Sequence, residues 1–264
     1  MIRPEFASCF LKLGRAEEHF NTIKAELIEW KDREPYVVSR QCDAQGSRHS
    51  LSVEITHPPP LEHWALIAGD CIHNLRATLD NLIYAIAVKE SGADPPPSYD
   101  LLQFPACVTL NSYSAQQTRR LAKLSTGTQA RIERAQPYNR PHPELPPLLS
   151  LLSEFDNIDK HRLLNVVVNN VSGGKFSFTI SPMDRRVFIK PEIGFHAGPV
   201  ISGTEFAHFI LTPPDRNVSY KYEATFVVSM AHPAGPSGRI LGELGYLLEI
   251  IIAEVRRIVE TFVF

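Results

Sequence analysis

Two short stretches concentrate the side chains able to do chemistry. The first reads His73-Asn74-Leu75-Arg76-Ala77-Thr78-Leu79-Asp80-Asn81, and the second reads Asp156-Asn157-Ile158-Asp159-Lys160-His161-Arg162. Each gathers histidine, arginine, carboxylates and an amide into about two helical turns. This mix can build a polar site or a structural ion-pair lock. A metal-independent ribonuclease needs a base to draw the proton from a 2′-hydroxyl and a cation to hold the phosphate. His73 or His161 supplies the base, Arg76 or Arg162 the cation, and Asn74, Asn81 or Asn157 can orient them. With Asp80 beside Arg76, the catalytic candidates are His73, Asn74, Arg76, Asp80, Asn81, His161 and Arg162. A metal site is the other chemical option, since His73 and Asp80 share a helix face and Asp156 or Asp159 can add carboxylates. No HExxH or HxH spacing concentrates such ligands, so neither a metal nor another cofactor is expected.

The helices that carry these residues constrain them. At about 100° per residue, one face of residues 61–90 holds Ala68, Cys71, Ile72, Leu75, Leu79, Leu82, Ile83 and Ile86. Asp70, His73, Asn74, Ala77, Asp80, Asn81 and Tyr84 share the other, with Arg76 at the boundary. A surface helix with a wet polar face is the simplest account. In residues 145–164 the apolar face is Leu148, Leu151, Leu152, Phe155 and Ile158, and its continuation passes through Asp159 and Arg162. An unpaired charge at the edge of a core is costly, so each should have a partner. The expected lock is reciprocal: Arg76 with Asp159, and Arg162 with Asp80. Asp156 and Lys160 form an i,i+4 pair worth a few tenths of a kcal/mol, and His161 is read as exposed.

Around these helices the pattern changes period twice. Leu13, Ala16, Phe20, Ile23, Leu27 and Trp30 predict a helix over 6–31. Residues 35–56 alternate like a β-hairpin around Asp43-Ala44-Gln45-Gly46-Ser47. A helix over 113–136 is interrupted near Ser125-Thr126-Gly127. Strands are expected at 166–168, 176–180, 186–189, 206–211 and 222–229, with turns at Gly173-Gly174 and Pro213-Pro214. A last helix over 238–262 carries Leu241, Leu244, Leu248, Ile251, Val255, Ile258 and Phe262. The expected fold is α+β: a bundle of four to five helices, with an antiparallel sheet of about five strands inserted before the last helix and a small N-terminal β-hairpin. It is read as one domain, with a helical part 6–164 completed by helix 238–262 and a β part 165–232.

Composition narrows the partners. A formal net charge of −2 over 264 residues argues against whole-protein attraction to nucleic acid or anionic membranes. Arg119, Arg120, Lys123, Arg131 and Arg134 form a local basic run, which is a solvated face or a footprint for RNA phosphates. The four cysteines include no CxxC pair, and Cys9 and Cys71 fall on apolar stretches as buried thiols. No signal or membrane-spanning pattern is visible, so the expected compartment is the cytoplasm, with no membrane partner. No GxSxG elbow, phosphate-binding loop or dinucleotide fingerprint occurs. The apolar stripe near the C-terminus either packs on the first or second helix or forms a homodimer contact.

The polar clusters carry two resemblances. HNLRxxLDN together with DNxDKHR looks like a family of uncharacterised bacterial proteins, which implies no activity. The arrangement also resembles the HEPN superfamily of helical nucleic-acid-associated domains, many of them ribonucleases of toxin and phage-defence systems. Their hallmark is an Arg followed four to six residues later by a His on a late helix, with the site completed across a dimer. Here Arg15-Ala16-Glu17-Glu18-His19 is short by one residue and lies on the first helix, Asp159-Lys160-His161-Arg162 reverses the order, and a β insertion is atypical. The expectation is a binding or assembly protein whose clusters lock two helices. The alternative is a HEPN-like metal-independent ribonuclease or nucleic-acid-binding effector.

Overall fold

The computed structural model describes residues 4–142, 145–170, 175–179, 192–196, 198–232 and 239–263, with side chains omitted at 170, 175–179, 223 and 239. Among these residues the helices are α1 (Ala7–Asp32), α2 (Leu61–Ser91), α3 (Leu110–Gln116), α4 (Thr126–Arg134), α5 (Leu148–Asp159) and α6 (Leu244–Val263). The strands are β1 (Tyr36–Cys42), β2 (Arg48–Ile55), β3 (Val166–Asn170), β4 (Lys175–Thr179), β5 (Glu192–Phe195), β6 (Glu205–Ile210), β7 (Ser219–Glu223), β8 (Phe226–His232) and β9 (Arg239–Glu243). The fold is α+β with antiparallel sheets and a C-terminal helix, as the periodicities predict. No helix among the described residues is long and apolar enough to cross a membrane. The chain divides into two compact units: a helical one from Met1–Lys24, Glu62–Leu164 and Gly245–Phe264, and a sheet one from Ala25–Leu61 and Asn165–Leu244.

In the helical unit, α2 is the element that positions the first cluster. Its 31 residues span about 46 Å at 1.5 Å per residue. Burial extends well around it, from Trp64 and Ala68 through Cys71, Ile72, Leu75, Leu79 and Leu82 to Ile86. Arg76 belongs to that buried set, so this is not simply a surface helix with a wet face. The α6 stripe of Leu247, Leu248, Ile251, Val255, Ile258 and Val259 is buried within the chain, and an Arg256–Glu17 ion pair ties α6 to α1. Cys9 and Cys71 are fully buried, which pushes their thiols up to about 11 and about 12.

The interruption expected near Ser125 is present and more elaborate than periodicity suggests. Thr109 caps α3 by accepting from Ser112 N–H, and a single π-helical turn, Gln117–Leu121, follows. Ser125 then turns extended and caps α4 through Thr128 N–H.

In the sheet unit the hairpin does not stand alone. The strand order is β1-β2-β6-β5 in one sheet, β3-β8-β9 in a second and β4-β7 in a third, each pair antiparallel. The β1–β2 turn is closed by Asp43, whose carboxylate accepts from Ser47 N–H at 2.8 Å, and by Gly46 at φ +78°. A side chain at Gly46 would be strained and would also strike Arg216. Leu51, Val53, Val168, Phe206, Phe209, Tyr220 and Phe226 make one core, so strands of all three sheets share it. Phe206 meets Phe226 edge-on at 5.2 Å and Phe209 meets Tyr220 at 4.7 Å, contacts worth about 1 kcal/mol each beyond burial.

Three expectations about elements are corrected and one strand is added. Residues 222–229 are not one strand: β7 pairs with β4, whereas β8 pairs with β3 and β9. Residues 239–243 are strand β9, not the start of the last helix, because Ile240 and Leu241 suit either period and pairing with β8 decides. The added strand is β5, a four-residue edge strand interrupted by Gly194, too short for periodicity to announce. The helix expected over 145–164 ends at Asp159. The strand expected at 186–189 and the Gly173-Gly174 turn lie outside the described residues.

Candidate functional site

Arg76 is 6% exposed, and its surroundings account for its charge. Its Nη2 donates to Asp80 Oδ1 at 2.6 Å, one helical turn away, and to the Phe104 carbonyl. Phe104 N–H donates back to Asp80 Oδ1 at 2.9 Å. The pair therefore grips both backbone groups of Phe104 and holds the loop after α2 against the helix. Burial pushes the Asp80 carboxyl up, and the Arg76 guanidinium offsets part of that.

The second cluster approaches α2 through two carboxylates. Asp156 is 4% exposed, with Oδ1 3.2 Å from His73 Nδ1 and Oδ2 accepting from Lys160 Nζ at 2.5 Å. Asp159 lies directly over Gly69, where an added Cβ would fall 2.0 Å from Oδ1. Burial, with Asp70 and Asp156 nearby, pushes the Asp159 carboxyl up against a smaller pull from His73.

These contacts replace the expected reciprocal lock. Arg76 pairs with Asp80 rather than Asp159, because its Nη2 is taken by the i,i+4 carboxylate and the Phe104 carbonyl. Arg162 does not take Asp80: it follows the end of α5 on a last turn, its N–H bonded to the Ile158 carbonyl, and its side chain lies exposed. His161 is likewise exposed. Asn74 donates to the Asp70 carbonyl of its own helix, and Asn81 is half-buried. The clusters thus meet through His73, Gly69, Asp156 and Asp159, while His161 and Arg162 stand apart.

Beside this junction opens a polar cleft of about 260 Å³. Its wall includes Arg76, Arg120, Lys160, Gln116, Asp156 and Asn157. Arg120 arrives on the π-helical turn, a feature that often marks functional positions. Its Nε donates to Gln116 Oε1, and burial together with the Arg119 and Arg76 guanidiniums lowers its proton affinity. Of the basic run, Arg119, Lys123, Arg131 and Arg134 are exposed, and Arg120 alone lines the cleft.

Several contributors were not visible as site residues. Gly69 is a lone glycine inside a helical pattern, a signal of close approach. Gln136 is fully buried and orders the loop by accepting from Cys107 N–H at 3.0 Å, which nothing in the sequence announces. Among the described residues, no group of three or more His, Cys, Asp or Glu side chains is placed to hold a metal ion. No protein-family model, curated protein or solved structure matches this chain.

Proposed function

We propose that this is a binding protein whose polar clusters fix α2, α5 and the 102–107 loop and so frame a small polar cleft. One observation carries the reading: Asp80 and Asp156 are already engaged, and Asp159 is packed against α2. Asp80 grips Arg76 and Phe104, Asp156 bridges His73 and Lys160, and Asp159 sits on Gly69. Arg76→Ala would strip Asp80 of its cation and leave the Phe104 carbonyl unbonded. Because Asp80 is partly solvated, the expected loss lies at the low end for a broken buried pair, about 3 kcal/mol. Urea unfolding of both proteins measures it, and an unchanged midpoint would overturn the reading.

The His73–Asp156 contact favours a second reading, RNA cleavage. A carboxylate on Nδ1 orients an imidazole whose other nitrogen can act as a base, and the His73 side chain is 56% exposed. On this reading the protein degrades single-stranded RNA without added metal, and His73→Ala abolishes cleavage with little change in melting temperature. RNA left intact by the wild-type protein, or equal cleavage by the variant, rejects it.

A further inference from the structure

We propose that the cleft binds a phosphate dianion, either free or as the terminal phosphate of a small monoester, through Arg76, Arg120 and Lys160. This rests on the binding-protein reading. Three separate segments bring the cations together: Arg76 from α2, Arg120 from the π-helical turn and Lys160 from the end of α5. They share the wall with a single carboxylate, Asp156.

Hydrogen-bond capacity points the same way. Arg76 spends only Nη2 on the protein, leaving Nε and Nη1 without a partner among the described residues although the side chain is 7% exposed. Neither nitrogen is a buried orphan, so both are open to solvent and to a ligand in the cleft. Arg120 uses Nε alone, and Lys160 Nζ gives one of its three protons to Asp156. Donors of three side chains therefore stay open on one small cavity. A carboxylate is satisfied by one guanidinium fork, whereas a phosphate dianion has three terminal oxygens and enough charge for several cations. Burial and then the Arg119 and Arg76 charges lower the proton affinity of Arg120, and an anion between Arg76 and Arg120 would relieve the repulsion between those two. At about 260 Å³ the cleft falls just below the usual range of ligand pockets, which fits a phosphate with a small body.

The test is isothermal titration of the whole chain in low-salt buffer with inorganic phosphate, glycerol 3-phosphate, acetate and dimethyl phosphate. The first two are expected to bind with one-to-one stoichiometry, more weakly at high salt. Tighter glycerol 3-phosphate assigns the monoester as the source, and tighter inorganic phosphate assigns the free ion. Arg120→Gln and Lys160→Gln, both at accessible positions and checked for unchanged circular dichroism, should each weaken phosphate binding by about tenfold or more. No saturable phosphate binding, equal binding of acetate or dimethyl phosphate, or full affinity in both variants overturns the proposal. A folded wild type that ignores phosphate sinks only this inference. An unchanged unfolding midpoint in Arg76→Ala sinks the reading beneath it.

Discussion

Gly69 is where single atoms decide how closely α2 and α5 meet. In an exposed helix a Gly→Ala change gains up to about 1 kcal/mol. Here the new methyl would lie 2.0 Å from Asp159 Oδ1. Forcing a group into a filled site costs about 1–3 kcal/mol, so Gly69→Ala should lower stability despite its better propensity. Adding Asp159→Ala removes the obstacle, so the double variant should recover stability relative to Gly69→Ala. A denaturant double-mutant cycle measures the coupling, and additive effects would show that the carboxylate does not wedge there. The types of the residues in this region were legible in the sequence, as was the need of Arg76 and Asp159 for partners. The partner Arg76 took was not, and Asp159 rests against Gly69 instead of meeting a cation among the described residues. Arg76 is satisfied partly by a backbone carbonyl, and a side-chain pattern carries no record of where a loop carbonyl will lie.

Elements were more legible than contacts wherever one period dominated. α1, α2, β1 and β2 follow their apolar spacing, whereas β9 does not, because sheet pairing rather than periodicity selects its conformation. The start of α4 shows a tertiary device that spacing could not reveal. Glu90, from the end of α2, accepts from Ser125 N–H at 2.6 Å, Ser125 Oγ at 2.7 Å and Thr128 Oγ1 at 2.6 Å. Burial pushes this carboxyl up, but the hydrogen bonds outweigh it and hold the group below its usual value. A folded value below the unfolded one means the contribution is present above the unfolded value, about 4.3. It is lost as pH falls through the lower folded value. Glu90→Gln should therefore destabilise most near neutral pH, with the gap to wild type closing in acid. Urea unfolding across that range checks the sign, and a gap that widens on acidification would contradict the assignment.

At the scale of the whole molecule, the helices-then-sheet-then-helix order correctly announces an α+β fold. It does not announce that the 35–56 hairpin belongs with the later strands. That follows from the pairing of β2 with β6, a contact between residues far apart in the chain. Each compact unit is consequently discontinuous: the helical one closes only with Gly245–Phe264, and its Arg256–Glu17 pair spans 239 positions. The order in which a ribosome makes these segments is then not neutral. Every strand of the sheet unit has been synthesised by Leu244, whereas α1 and α2 have long emerged without their last partner helix. During translation the half that holds the cleft is the half that must wait for α6.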